Sequence, residues 1–202
     1  MLIVNPPYAM KNSVFVLALT LVTVSNVYSQ KTGDSEQGNT SSYITFSPLS
    51  LLDFHAPRLR FGYTQHIAGH WKIGIDLGFG SGTGLLSRRE SEDDFLFEIR
   101  PEVHFILKPE ARTIKYISAE FFYIGQSNTL LNNVYDLEEG LELEFDQADY
   151  ERQKFGMHLK YGLFLNFGSH WGLNFYGGIG FRWTEITFSN VINARENTAR
   201  HR

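Results

Sequence analysis

From Phe155 to Phe167 every second residue is apolar: Phe155, Met157, Leu159, Tyr161, Leu163, Leu165 and Phe167. Between them stand Gly156, His158, Lys160, Gly162, Phe164 and Asn166. A period of two sustained this long describes a strand whose two faces meet different media. The following segment repeats the pattern, with Trp171, Leu173, Phe175, Gly177, Ile179, Phe181 and Trp183 set against Gly172, Asn174, Tyr176, Gly178, Gly180 and Arg182. Upstream, Trp71, Ile73, Ile75, Leu77 and Phe79 alternate with Lys72, Gly74, Asp76 and Gly78, and Leu59, Phe61 and Tyr63 alternate with Arg58, Arg60, Gly62 and Thr64. Phe95, Phe97, Ile99, Val103, Phe105 and Leu107 alternate with Glu98, Arg100, Glu102 and His104. Residues 43–52 and 114–125 are strand-like but less regular. No stretch beyond the N-terminal segment carries a helical period. The expected class is all-β.

Two architectures use such strands. A lipocalin-type barrel turns its apolar face inward to a ligand, whereas an outer-membrane barrel turns it outward to lipid and fills its lumen with polar groups. Glycine placement favours the second. Gly62, Gly74, Gly78, Gly156, Gly162, Gly172, Gly178 and Gly180 all lie on the polar face, where a narrow barrel needs small residues beside large ones. A water-facing surface has no such need, and glycine weakens a strand. Connection lengths agree. Residues 67–70, 108–112 and 168–170 are tight, and residues 81–94 and 126–151 are long, the rhythm of periplasmic turns and extracellular loops. The second long link carries alternation of its own and reads as a hairpin extending its two strands above the membrane. The expectation is an up-and-down antiparallel transmembrane β-barrel over residues 43–188.

Lys11 precedes an uncharged apolar run, residues 13–24, followed by Ser25-Asn26-Val27-Tyr28-Ser29. This is the layout of an export signal with cleavage before Gln30, and Met10 reads as the true start. The run falls short of the roughly 18–20 residues a helical span needs. Residues 30–42 form a polar lead-in, and residues 189–202 read as a polar tail without alternation. The chain has no Cys, so it has neither disulfides nor thiolate chemistry. Its net charge of −4 offers no footprint for nucleic acid.

The Gly62-Tyr63 strand with His70-Trp71-Lys72-Ile73-Gly74, and Arg100-Pro101-Glu102-Val103-His104-Phe105, resemble small outer-membrane β-barrel proteins of Gram-negative bacteria. Many of those are domains of unknown function. The resemblance implies an eight-stranded barrel in the style of OmpA and OmpX, and it brings no catalytic residues. Pro101 donates no ladder hydrogen bond, so a bulge is expected there.

Most ionisable groups of the strands share the polar face: Arg58, Arg60, Asp76, Glu98, Arg100, Glu102, His104, Glu120, Lys154, His158, Lys160 and Arg182. An eight-stranded barrel is just wide enough for side chains, so these charges are expected to plug the lumen by pairing rather than to line a pore. Glu98 and Glu102 stand about 13 Å apart along one strand, too far for paired-carboxylate glycoside hydrolysis. Trp71, Trp171 and Trp183 are expected at the membrane interface. The acidic residues 136–151 lack EF-hand spacing and read as a solvated loop.

No catalytic, cofactor or metal residues are assigned. The expected function is non-enzymatic: a structural, adhesive or binding role in the cell envelope, with outer-membrane lipid as the surrounding partner. The long links 81–94 and 126–151 are the surfaces for any extracellular ligand. The alternatives are a lipid-modifying acyl hydrolase or transferase and a soluble lipocalin-like binder. Ser169 and His170 are adjacent, so in a strand they face opposite ways, and nothing orients the histidine as a base.

The strands near 43–52, 58–67, 71–80, 95–107, 113–125, 152–167 and 171–188 make an odd set of seven, whereas single-chain bacterial barrels have an even number. The ladder is therefore expected to stay open between the first and last strands, through a truncated reading frame or for closure by a strand of a second chain.

Overall fold

In the computed structural model, the described residues are 23–25, 42–53, 56–81, 91–109, 113–136, 142–167 and 172–196. They form one antiparallel sheet. In chain order its strands are β1 (Thr23–Ser25), β2 (Tyr43–Phe46), β3 (Arg58–Ala68), β4 (Trp71–Gly80), β5 (Ser91–Pro109), β6 (Thr113–Asp136), β7 (Glu142–Asn166), β8 (Gly172–Ile192) and β9 (Arg195–Glu196). Strands β2 to β8 run up and down in sequence order, each hydrogen-bonded to the next. The three-residue β1 pairs with the start of β8, and the two-residue β9 pairs with β7. Among the described residues no helix is long and apolar enough to cross a membrane.

The sheet curls until its ends face each other. Tyr43 of β2 stacks on Phe164 of β7 with ring centroids 5.4 Å apart, although five ladder steps separate those strands. Lys160 of β7 likewise reaches Glu102 of β5 at 3.2 Å. As the odd strand count led us to expect, the ladder does not close into a barrel. Among the described residues β2 and β8 share no pairing, and neither do β1 and β2. Part of the reason is local. The first strand, expected over 43–52, ends at Phe46, because Pro48 opens a 3-10 turn over Pro48–Leu52 and proline has no N–H for a ladder. The Ser50 hydroxyl secures that turn, lying 2.6 Å from the carbonyl oxygens of both Ser47 and Arg58, which share its one hydrogen. β1 falls within the segment read as the export signal.

The later strands are longer than the alternation alone suggested. β6 runs 24 residues and β7 25, against the roughly 9–11 that a tilted membrane crossing requires. The link 126–151 is therefore mostly paired hairpin, as its own alternation implied, and residues 91–94 of the link 81–94 are strand. The tail expected to be unpaired at 189–202 is instead partly built into the sheet: β8 continues to Ile192, and Glu144 and Leu143 pair with Arg195 and Glu196. The extended β7 offers a free edge there. Asn190 and Asn193 donate to Asp149 and Asp146 at 2.7 and 2.6 Å, so side chains as well as backbone hold the tail. Leu130, Phe145 and Ala148 make a small buried cluster beneath Tyr150 and Phe188 on this extension. The described part of the acidic stretch, from Glu142 onward, is thus folded sheet and not a free loop.

Pro101 also departs from expectation. It stands opposite Ile75, and the register of β4 and β5 is unbroken through it. On the β6 side the register is the same before and after it, Ile99 facing Tyr123 and Glu102 facing Glu120. The missing N–H interrupts bonding without inserting a residue. The irregularities of β5 lie elsewhere, between Glu92 and Phe95 and between Ile106 and Lys108.

The interior glycines make room for rings. A Cβ on Gly162 would stand within 3.0 Å of the Tyr116 ring, and one on Gly156 within 3.0 Å of the Phe122 ring. Both pairs are direct cross-strand neighbours. Tyr116 cannot step aside easily: it is buried, donates to Asn174 at 2.8 Å and packs edge-on to His104. Gly162→Ala is therefore expected to cost about 1–3 kcal/mol by overpacking. Gly177→Ala, with nothing within 4 Å of its Cβ, is expected to stay within about 0.5 kcal/mol. Urea unfolding of the two variants checks the difference, and equal costs would place Gly162 outside the packed interior.

Candidate functional site

The concave face carries the charges, and it is dry. Glu98 is 0% exposed, and Lys72 and Glu120 are each 1% exposed. Alternation along β3 to β8 brings these side chains to one face, and the curl of the sheet brings them within reach of one another. Burying such groups is tolerable only if they pair.

They do pair, around two hubs. Glu98 receives Arg58 Nε at 2.6 Å, Arg60 Nε and Nη2 each at 3.1 Å, and Arg100 Nε. Arg58 also bonds Asp53 at 2.9 Å. Arg100 extends the chain to Glu120 at 2.7 Å. Glu120 is the second hub, meeting Lys160 Nζ at 2.5 Å and His158 Nδ1 at 2.9 Å. Glu102 stands directly opposite Glu120 in the ladder, a juxtaposition of like charges that is unfavourable alone. Lys160 resolves it by bonding both carboxylates. Asp76 accepts a 3.5 Å bond from the Thr45 hydroxyl, and His104 Nδ1 lies 3.9 Å from Glu102 Oε1.

Not every expected lumen residue is fully buried. Asp76, Arg100, Glu102, Lys154 and His158 are only partly buried, and Arg182 is exposed although its parity is inward. For Arg182 the reason is tertiary: among the described residues, that part of β8 has β7 on one side and no paired strand on the other. Other interior groups were not assigned from sequence. Lys72 lies over the Tyr43 ring at 5.2 Å, and Asn174 and Ser118 are buried with it. Shared parity with Asp76 was the available signal for Lys72. Asp53, at the end of the 3-10 turn, had none.

What remains open inside is small. A polar cavity of about 30 Å³ is lined by Asp76, Glu102, His104, Tyr116, Lys160 and Tyr176 among others. It has room for about two or three waters, not for an acyl chain or a sugar. Among the described residues no group of three His, Cys, Asp or Glu has the geometry to hold a metal ion. Ser169 and His170 lie outside the described residues.

The convex face is the reverse. Phe121 is 58% exposed and Leu159 50%, and Phe61, Ile73, Ile179 and Phe181 are exposed with them. Trp71 stands outward, edge-on to Phe105 at 5.0 Å. Trp183 stands outward between Phe155 and Phe181, at 5.6 and 4.7 Å. Trp171 lies outside the described residues. Past Phe155 and Trp183 the outward residues become Gln153 and Glu185, both exposed, so the apolar exterior ends there. Comparison with family profiles, with curated proteins and with solved structures yields no match.

Proposed function

We propose that this is a non-enzymatic outer-membrane protein, exported by its N-terminal segment. Its curled sheet sits in lipid, its interior is plugged by ion pairs, and its structural, adhesive or binding role is exercised by the sheet extending beyond the bilayer. One observation carries the reading: the molecule is inverted, with charged groups buried on the concave face and large apolar groups exposed on the convex face of every long strand. Soluble monomers rarely expose contiguous apolar patches beyond about 300–600 Å². In lipid the same exterior is the favourable one, and the aromatic residues at its two margins match the interfacial girdles of membrane barrels. The paired interior and the small cavity argue for a plug rather than a pore. Cell fractionation, with electrophoresis of heated and unheated samples, tests it. The protein is expected in the outer-membrane fraction, with a mobility that changes on heating. Recovery from the soluble periplasm without a heat-dependent shift would refute the reading.

A further inference from the structure

We propose that the uncovered edge of β8 and the cations beside it bind the phosphate-bearing headgroup of an anionic lipid. The proposal rests on the membrane reading above and goes beyond it by naming a ligand class and a site.

The first observation is the opening. β8 pairs with β1 only through Gly172, Leu173 and Asn174. From Phe175 onward, among the described residues, β7 is its only hydrogen-bonded neighbour. Across the opening, β2 stops at Phe46 and the chain turns into the 3-10 segment Pro48–Leu52, which stays bonded to β3 through Ser50 and, among the described residues, forms no ladder with β8. The wall of the curled sheet is thus interrupted along the outer half of β8.

The second observation is uncompensated charge at that opening. By register, Arg152 stands opposite Ile186, Lys154 opposite Thr184, and Arg182 opposite Gly156, which places the three cations together on the inward face. Arg152, Arg182 and Arg58 are all near enough to Lys154 to repel its charge, each more strongly than Asp53 attracts it. Arg58 and Asp53 are already bonded to each other. Arg58, Arg60 and Arg100 each hold a carboxylate, whereas among the described residues Arg152, Lys154 and Arg182 hold none. Like charges set side by side on a sheet repel.

The third observation is height. Lys154 adjoins Phe155, and Arg182 lies between Phe181 and Trp183, whose rings pack together on the outward face. Beyond them the exterior turns polar at Gln153 and Glu185. The cations therefore stand where the apolar exterior ends, the level of lipid headgroups in a bilayer. Guanidinium groups match phosphate geometry, and the outward rings offer acyl chains a surface beside it.

The test uses a Trp71→Phe/Trp171→Phe protein, which keeps Trp183 as its one tryptophan. It is folded into phosphatidylcholine vesicles carrying a minor share of phosphatidylglycerol, with bromine on the acyl chains of one lipid or the other. Brominated phosphatidylglycerol is expected to quench Trp183 as though enriched about fivefold or more beside it, the scale of one Lys or Arg at an anionic surface. High salt is expected to weaken that preference, and Lys154→Gln/Arg182→Gln to abolish it. Equal quenching by the two lipids would overturn the site while leaving the membrane reading intact. Quenching by neither would overturn the membrane reading itself. Loss of the preference in millimolar inorganic phosphate would reassign the site to free phosphate. Should the double Gln variant fail to fold, the salt and phosphate responses of the unaltered site still decide.

Discussion

Glu98→Ala is expected to destabilise the protein by about 3–5 kcal/mol, the range for breaking a buried ion pair by removing one partner. Glu98 is fully buried and is the shared anion of Arg58, Arg60 and Arg100. Arg58 retains Asp53 and Arg100 retains Glu120, but Arg60 has no other carboxylate within salt-bridge distance among the described residues. The loss therefore falls chiefly on a guanidinium left desolvated and unpaired. Glu98→Gln keeps acceptor oxygen and side-chain volume and is expected to cost less. Urea unfolding of the protein refolded in lipid vesicles measures both. A cost below about 1 kcal/mol for Glu98→Ala, the value of an exposed pair, would mean that water fills the interior and that the plug is wrong.

Leu159→Arg is expected to cost about 2–4 kcal/mol in the same vesicles, the scale for a lipid-facing Arg near the bilayer midplane. Leu159 is half exposed on the convex face, about midway between the aromatic Phe155 and the lower end of β7 at Asn166. The same substitution on a water-facing surface would fall within about 0.5 kcal/mol. Its cost thus reports which solvent the convex face meets. Leu159→Phe serves as the control, since it adds bulk without charge and is expected to be nearly neutral. Comparable stability of Leu159→Arg and Leu159→Phe would place the convex face in water and favour a soluble sheet.

How much of this could be read in the chain depends on whether the signal is local. Which face a residue takes is local, because side chains along a strand alternate whatever its partners do. Glu98, Arg100, Glu102, His104 and Glu120 could therefore be assigned to one face before any strand was paired. The glycines of that face were legible for the same reason, although Tyr116 over Gly162 and Phe122 over Gly156 required the register. Strand ends were less legible. Beyond the apolar exterior both faces of β6, β7 and β8 can be polar, so alternation fades while backbone pairing continues, and the tail at Arg195–Glu196 was missed. At the other end the strand-like stretch 43–52 runs across Pro48, which ends β2 at Phe46 and opens the 3-10 turn.

The sequence by itself determined an all-β chain, two unlike faces, and an odd number of up-and-down strands, seven from β2 to β8, that leaves the ladder open. These follow from period-two patterning and turn composition, which act over a few residues. Only the tertiary structure decided which carboxylate meets which cation. Glu98 gathers three arginines because Arg100 is two residues along its own strand and the register sets Arg60, with Arg58 beside it, across the small Gly78 of β4, and Lys160 bridges Glu102 and Glu120 because those two face each other across a ladder. It also decided that Arg182 and Lys154, of the same parity as the buried charges, hold no carboxylate among the described residues at the opening. Parity is a property of one strand. Burial and pairing belong to the neighbours, and along the outer half of β8, among the described residues, a neighbour is present on one side only.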